Sequence, residues 1–409
     1  MNDNFFRAEP RALHFHMAGV SAEFIEGFMK QLLKKSILIF LGLVLIGNIT
    51  CCKVAAEDKE GFLEVSGSCD LIFPIDHGPH PGYRTEWWYY TGNLVAASKE
   101  RYGFQLTFFR SQISPPGARK KWPQPTSAWR TQQVYIAHSA ISYITAKQYL
   151  HAERVSRGAL NMAGANQAKD ATTIFLNNWS AHIEPDRHQL IVHSDRFSYE
   201  LDLIPEKPAV MHGIDGYSRK GSNVDNASCY YSFTRLSTKG KLFVDDKAIA
   251  VEGSAWMDHE YGTDILGPGM KGWDWFSLQL SDHTEVMVLV LRTDKGGIGP
   301  ASSATVVDKQ GQSQHISKNE LELTVLDTWK SPHTKAIYPA RWRLQIHPNL
   351  VDITIKTNLA DQEMLTSSTT GEIYWEGSVS LEGTKANQKI VGLGYVELTG
   401  YARSFEAPM

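Results

Sequence analysis

The sequence predicts an all-β protein made of two consecutive antiparallel β-barrels behind an exported leader. Short segments that alternate apolar and polar residues recur along most of the chain. No amphipathic helix longer than about three turns interrupts them. Aromatic residues concentrate in the same segments: the 409 residues include 11 Trp, 16 Tyr and 17 Phe. That is enough bulk for barrel interiors and enough length for two domains once a leader is removed. Hydrophobic content of 42% and charged content of 21% allow a packed core. A net charge of −3 lacks the basic footprint of a nucleic-acid partner.

The leader comes first. Residues 29–52 read MKQLLKKSILIFLGLVLIGNITCC, with a basic start at Lys30, Lys34 and Lys35 and an apolar run over Ser36–Gly47. This has the form of a secretory signal, and the run is short for a membrane span. Met29 is a more natural start than Met1, so Met1–Phe28 reads as an upstream mis-start. Ile49-Thr50-Cys51-Cys52 loosely matches a bacterial lipobox with Cys52 as the acylated residue. Simple cleavage and a retained anchor are the alternatives. The expected organisation is a leader over 1–52 and a polar tether over 53–67. A first barrel over 68–260 and a second over 261–409 follow. Export would place the protein in a bacterial periplasm, free or as a membrane-anchored lipoprotein. It would also permit one disulfide, Cys69 with Cys229; two separate thiols fit the sequence equally well.

Strands follow the tether. The first series is Glu86–Leu94, Gly103–Arg110, Val134–Ser142, Thr173–Ile183, Gln189–Asp195, Phe197–Leu203, Tyr230–Leu236, Lys241–Val244 and Ala248–Trp256. The Gly and Pro of Tyr261–Lys271 supply a linker. The second series is Trp273–Leu280, Glu285–Arg292, Ala304–Asp308, Leu321–Thr328, Arg341–His347, Val351–Lys356, Ile373–Leu381 and Ile390–Leu398. WWYYTGNL (Trp87–Leu94) aligns with WDWFSLQL (Trp273–Leu280), and each is followed by a strand ending in Arg, Arg110 and Arg292. This hints at an internal duplication.

Two constellations could carry chemistry. In Glu86–Tyr90, alternation puts Glu86, Trp88 and Tyr90 on one face. Turned into a barrel, Glu86 would be a carboxyl among aromatics, its pKa raised by burial. Paired with Arg84 or Arg110, it would be a structural ion pair. In Trp256–Tyr261, WMDHEY, Asp258 and Glu260 share a face and His259 looks away. Asp258 is the candidate acid, with His259 or Glu260 positioning water; the alternative is a capped turn holding the two domains together. His77 and His80 lack a third ligand at a diagnostic spacing, so no metal is expected. The loop beginning at His212 reads as a barrel rim. No motif for a serine nucleophile, a nucleotide or another cofactor occurs.

The segments FPIDHGPHPGYRTEWWYYTGNL, GFQLTFFR, GSAWMDHEYGT, GWDWFSLQL, YWEGSV and GYVELTGY, spread over about residues 70–403, together resemble the AttH/CrtC-like, or carotenoid 1,2-hydratase, family. The resemblance implies two lipocalin-like barrels. It also implies a cofactor-free hydratase activity, adding water to an isoprenoid double bond by acid catalysis. Asp258, preceded by Trp256, matches the hydratases' acid. The stretch Cys229–Leu236 reads CYYSFTRL, without the His and Trp of the hydratases. Exported bacterial members look like lipoproteins associated with ABC export systems.

The leading expectation is an exported protein that binds an apolar molecule or lipid inside a barrel, serving an ABC transporter. Trp88, Tyr90, Phe108, Tyr231, Trp256, Trp273 and Trp275 would contact the ligand, with Asp258, His259 and Glu86 as candidate catalytic groups. The alternatives are a hydratase-type lyase and a structural envelope protein with a filled interior.

Overall fold

The computed structural model describes residues 57–405 apart from 246 and 265. The leader and Cys52 lie outside the described residues. Alternation yields strands throughout, and the helical pieces among the described residues are short 3-10 turns.

The first sheet is antiparallel and has a path of eleven strands. Its spatial order is Gln148–Arg157, Gln133–Tyr143, Arg101–Gln112, Thr85–Ala96, Lys247–Gly262, Ala227–Val244, Phe197–Pro205, His188–His193, Trp179–Ile183, Thr172–Leu176 and Ala163–Gln167. The two ends of the sheet approach each other, so it curls nearly closed. The second sheet begins at Met270–Leu280, which lies between Glu285–Thr293 and Gln388–Thr399; Ile373–Lys385 follows Gln388–Thr399.

The expected strands differ from these in identifiable ways. Asn177, at φ 55°, turns the chain, so the segment expected as Thr173–Ile183 is a hairpin of two strands. The two expected pieces Tyr230–Leu236 and Lys241–Val244 are one strand, Ala227–Val244, with a bulge between Phe233 and Leu236. The expected Ala248–Trp256 runs on to Gly262, which carries Asp258 and His259 into the sheet. Gln148–Arg157 was not foreseen, because its sequence is mostly polar.

Both halves repeat one plan. In each, the first strand pairs with the second and with the last. Side-chain directions repeat as well. Trp88 and Tyr90 enter the first barrel's core, and Phe276 and Leu278 enter the second's. Tyr89 and Trp275 point the other way and meet in a separate aromatic cluster between the barrels. Both barrel interiors are filled by buried side chains. Cys69 and Cys229 are disulfide-bonded, tying the segment before the first strand to Ala227–Val244.

Candidate active site

The cavity lies between the barrels, and its walls are the outward faces of the two sheets. Its volume is about 140 Å³, and Trp87, Tyr89, Phe109, Trp273, Trp275 and Tyr374 supply aromatic walls. Asp258 enters from the first barrel, Glu376 and Glu397 from the second.

Three donors hold Asp258. The Tyr230 hydroxyl donates to Oδ2 at 2.7 Å and the Trp256 indole to Oδ1 at 2.5 Å, with Ser232 also donating to Oδ1. Trp275 Nε1 donates to Tyr230 at 3.0 Å, so the second barrel orients the first barrel's acid. Burial pushes the Asp258 pKa up to about 7 despite these donors, and the nearby Glu260 adds to the rise. Glu260 itself is paired with Lys220 at 2.7 Å. Asp258 has no ion-pair partner among the described residues. A carboxyl in this state can release a proton near neutral pH.

His212 stands behind this group. Its Nε2 lies 2.6 Å from Ser232 Oγ and its Nδ1 2.9 Å from Thr305 Oγ1 of the second barrel. Burial lowers its pKa to about 3, so the ring is neutral. A histidine therefore stands one hydroxyl away from the acid, and it arrives from outside the Cys229–Leu236 stretch. The expected rim loop is part of the site.

Across the cavity, Glu376 accepts a hydrogen bond from Tyr89 at 2.5 Å and lies directly opposite Glu397 in the sheet. Burial raises both carboxyls, and their mutual repulsion adds to the rise at Glu376. Sequence reasoning missed these two. Their signal was a lone Glu on the same strand face as aromatic neighbours, in YWEGSV and GYVELTGY.

Glu86 borders this cavity and His259 does not, but both side chains belong to another cluster. They lie on the opposite sheet face, at the end of the first barrel. Glu86 binds Arg110 Nε at 2.7 Å, His80 Nδ1 at 2.7 Å and His259 Nε2 at 2.8 Å. Burial alone would raise its pKa, as the barrel-facing alternative anticipated. Arg110 and His80 outweigh burial and hold Glu86 well below the usual carboxylate range. Burial opposes protonation of His80, but Glu86 and Asp76 carry its pKa up to about 9. His80, Glu86 and His259 offer atoms within 4.8 Å of one another, as a metal would need. Glu86 already meets Arg110 through Oε2 and both histidines through Oε1, so its oxygens are taken up within the cluster.

The expected ligand residues divide the same way. Trp273 and Trp275 line the cavity, and Trp256 holds Asp258 from behind. Trp88, Tyr90, Phe108 and Tyr231 are buried in the first barrel's core and do not reach it. The expected chamber inside a barrel is corrected accordingly: alternation separates two strand faces, but both are apolar here, and only the tertiary structure tells core from interface.

Residues 64–401 match the family described as AttH-like. The chain belongs to the AttH-like family. A crystal structure of an AttH protein from Nitrosomonas europaea is 31% identical, with a TM-score of 0.71, covering 82% of this chain and 98% of that one. Kievitone hydratase of Fusarium solani subsp. phaseoli is 26% identical over 171 residues, 42% of this chain. That match spans 47% of the relative, about half its length. The crystal structure of kievitone hydratase from Nectria haematococca shares the fold, with a TM-score of 0.64 at 15% identity over 85% of this chain and 98% of that one. In this AttH-like chain the acids of the cavity come from both barrels, so neither barrel alone forms the site.

Proposed function

We propose that this AttH-like protein is a cofactor-free hydro-lyase that adds water to a carbon–carbon double bond of an apolar, isoprenoid- or lipid-like molecule. Asp258 is the proton donor. The observation that carries the reading is a fully buried carboxyl, with no cationic partner among the described residues, facing an aromatic cavity. Protonating an alkene makes a carbocation. The faces of Trp273 and Trp275 would stabilise it by cation–π attraction, and water would then attack. A hydratase among the relatives supports the same chemistry.

Acyclic isoprenoids bearing a trisubstituted alkene are the first substrates to try. Asp258→Asn is expected to lower turnover about 10²–10⁴-fold while leaving the thermal transition cooperative. Turnover in the wild type should fall as pH rises through about 7, because the donor is then ionised. Undiminished turnover in Asp258→Asn removes Asp258 from this role.

A second reading is an apolar-ligand carrier serving an ABC exporter, supported by the aromatic walls alone. It requires that a fluorescent apolar probe bind with equal affinity to wild type and Asp258→Asn and that no alkene turn over. Export with acylation at Cys52 accompanies either reading. Metabolic palmitate labelling should be lost in Cys52→Ser; labelling that persists in that variant, or its absence in wild type, rejects acylation at Cys52.

A further inference from the structure

Asp258 has a positional counterpart in the second barrel, and the counterpart is also an acid. Asp258 pairs across the sheet with Tyr89 in the first barrel, and Glu397 pairs with Trp275 in the second. Tyr89 and Trp275 are equivalent in the repeated first strands, and their rings meet edge to face at 5.1 Å. Trp256 and Tyr395, each two residues before the acid, lie in the same cluster between the barrels. The duplication has therefore delivered two acids to one cavity, one from each half.

Their surroundings differ. Asp258 is held by three donors, one of them Ser232, which is its direct cross-strand partner. The residue in that place beside Glu397 is Glu376. Neither glutamate has an ion-pair partner among the described residues. Two adjacent carboxyls between apolar walls do not both ionise, so at most one of them is a carboxylate and they titrate as a unit. In its singly ionised form the pair has a carboxylate oxygen able to accept a proton.

We propose that Glu397, as the carboxylate of the singly ionised pair it forms with Glu376, is the base that takes the proton of the attacking water. This rests on the hydratase reading. The alkene π bond takes the Asp258 proton, forming a C–H bond and leaving Asp258 a carboxylate. The water oxygen bonds to the cationic carbon, and as the C–O bond forms, a water proton passes to the glutamate pair. The product is a neutral alcohol. Return of the extra proton from the pair to Asp258 restores the enzyme, with one water consumed. Tyr89, hydrogen-bonded to Glu376 and paired in the sheet with Asp258, lies on that return path.

The test separates protonation from water attack. Wild type, Asp258→Asn, Glu397→Gln and Glu397→Asp are incubated in D2O with an acyclic isoprenoid carrying a terminal trisubstituted alkene. Deuterium entering recovered alkene reports reversible protonation, and alcohol reports water addition. Glu397→Gln is expected to keep deuterium exchange while alcohol formation falls about 100-fold. Glu397→Asp, which retains a carboxylate, should recover part of the alcohol, and Asp258→Asn should lose both signals. If Glu397→Gln folds and changes neither signal, or lowers both together, the role of Glu397 is overturned and Asp258 keeps its own. A wild type that gives neither signal removes the hydratase reading and this inference with it.

Discussion

Glu86 and Asp258 sit on neighbouring strands of one sheet, on opposite faces, and both are buried. Glu86 is surrounded by Arg110, His80 and His259 and stays ionised. Asp258 receives only neutral donors, from Tyr230, Trp256 and Ser232, and holds its proton to about pH 7. Burial is common to both, so burial does not decide the protonation state. The charge of the neighbours does. The first arrangement fixes one end of a barrel; the second leaves an acid able to react.

The strongest way to break this contrast is to remove the cation. Arg110→Met leaves Glu86 buried without its main partner and is expected to cost about 3–5 kcal/mol in denaturant unfolding. A loss below about 1 kcal/mol would mean that the histidines alone satisfy Glu86.

Cys69→Ser comes next, at about 2–4 kcal/mol. The bond ties the segment bearing Asp76, His77 and His80 to the strand bearing Tyr230 and Tyr231. Hydrogen exchange in the variant should therefore rise first around the charged cluster and only later around Asp258. The reverse order would contradict the division drawn here.

The pH dependence sharpens the contrast further. The folded state binds the Asp258 proton more tightly than the unfolded chain, so this group's stabilisation is complete below about pH 4 and is lost as pH rises to about 7. Relative to Asp258→Asn, wild type should lose about 1.4 kcal/mol per pH unit across that window. Glu86 behaves oppositely: its pKa is lowered on folding, so its contribution is present above about pH 4.3 and is lost as pH falls through the folded value. Parallel stability curves for wild type and Asp258→Asn would refute the assignment. The smallest effect is that of Tyr89→Phe, which removes one donor to Glu376 and should cost about 1 kcal/mol.

Much of this was legible in the sequence. Strand alternation and the face shared by Asp258 and Glu260 follow from a period of two, the duplication follows from the likeness of WWYYTGNL to WDWFSLQL, and the structure contains each. Arg110 as a partner for Glu86 was one of two alternatives that the sequence left open. The location of the cavity was not legible. Trp87-Trp88-Tyr89-Tyr90 is aromatic on both faces, because one face fills a barrel and the other meets the second barrel. Glu376 and Glu397 were hidden because they lie 118 or more residues beyond Asp258 and meet it only through packing of the two halves. His212 was hidden for the same reason: a loop residue shows its partner only once the loop is placed.

The contact between Tyr89 and Trp275 joins equivalent positions of the two repeats. Residues that touch their own equivalents are the mark of a rotation axis, as in a dimer of identical subunits. A true homodimer would have to carry the same acid twice, because each change appears in both copies. Joining the copies in one polypeptide lifts that constraint and keeps them together at any dilution. One half here holds an aspartic acid among neutral donors and the other a pair of glutamates, an asymmetry that a symmetric ancestor could not have encoded.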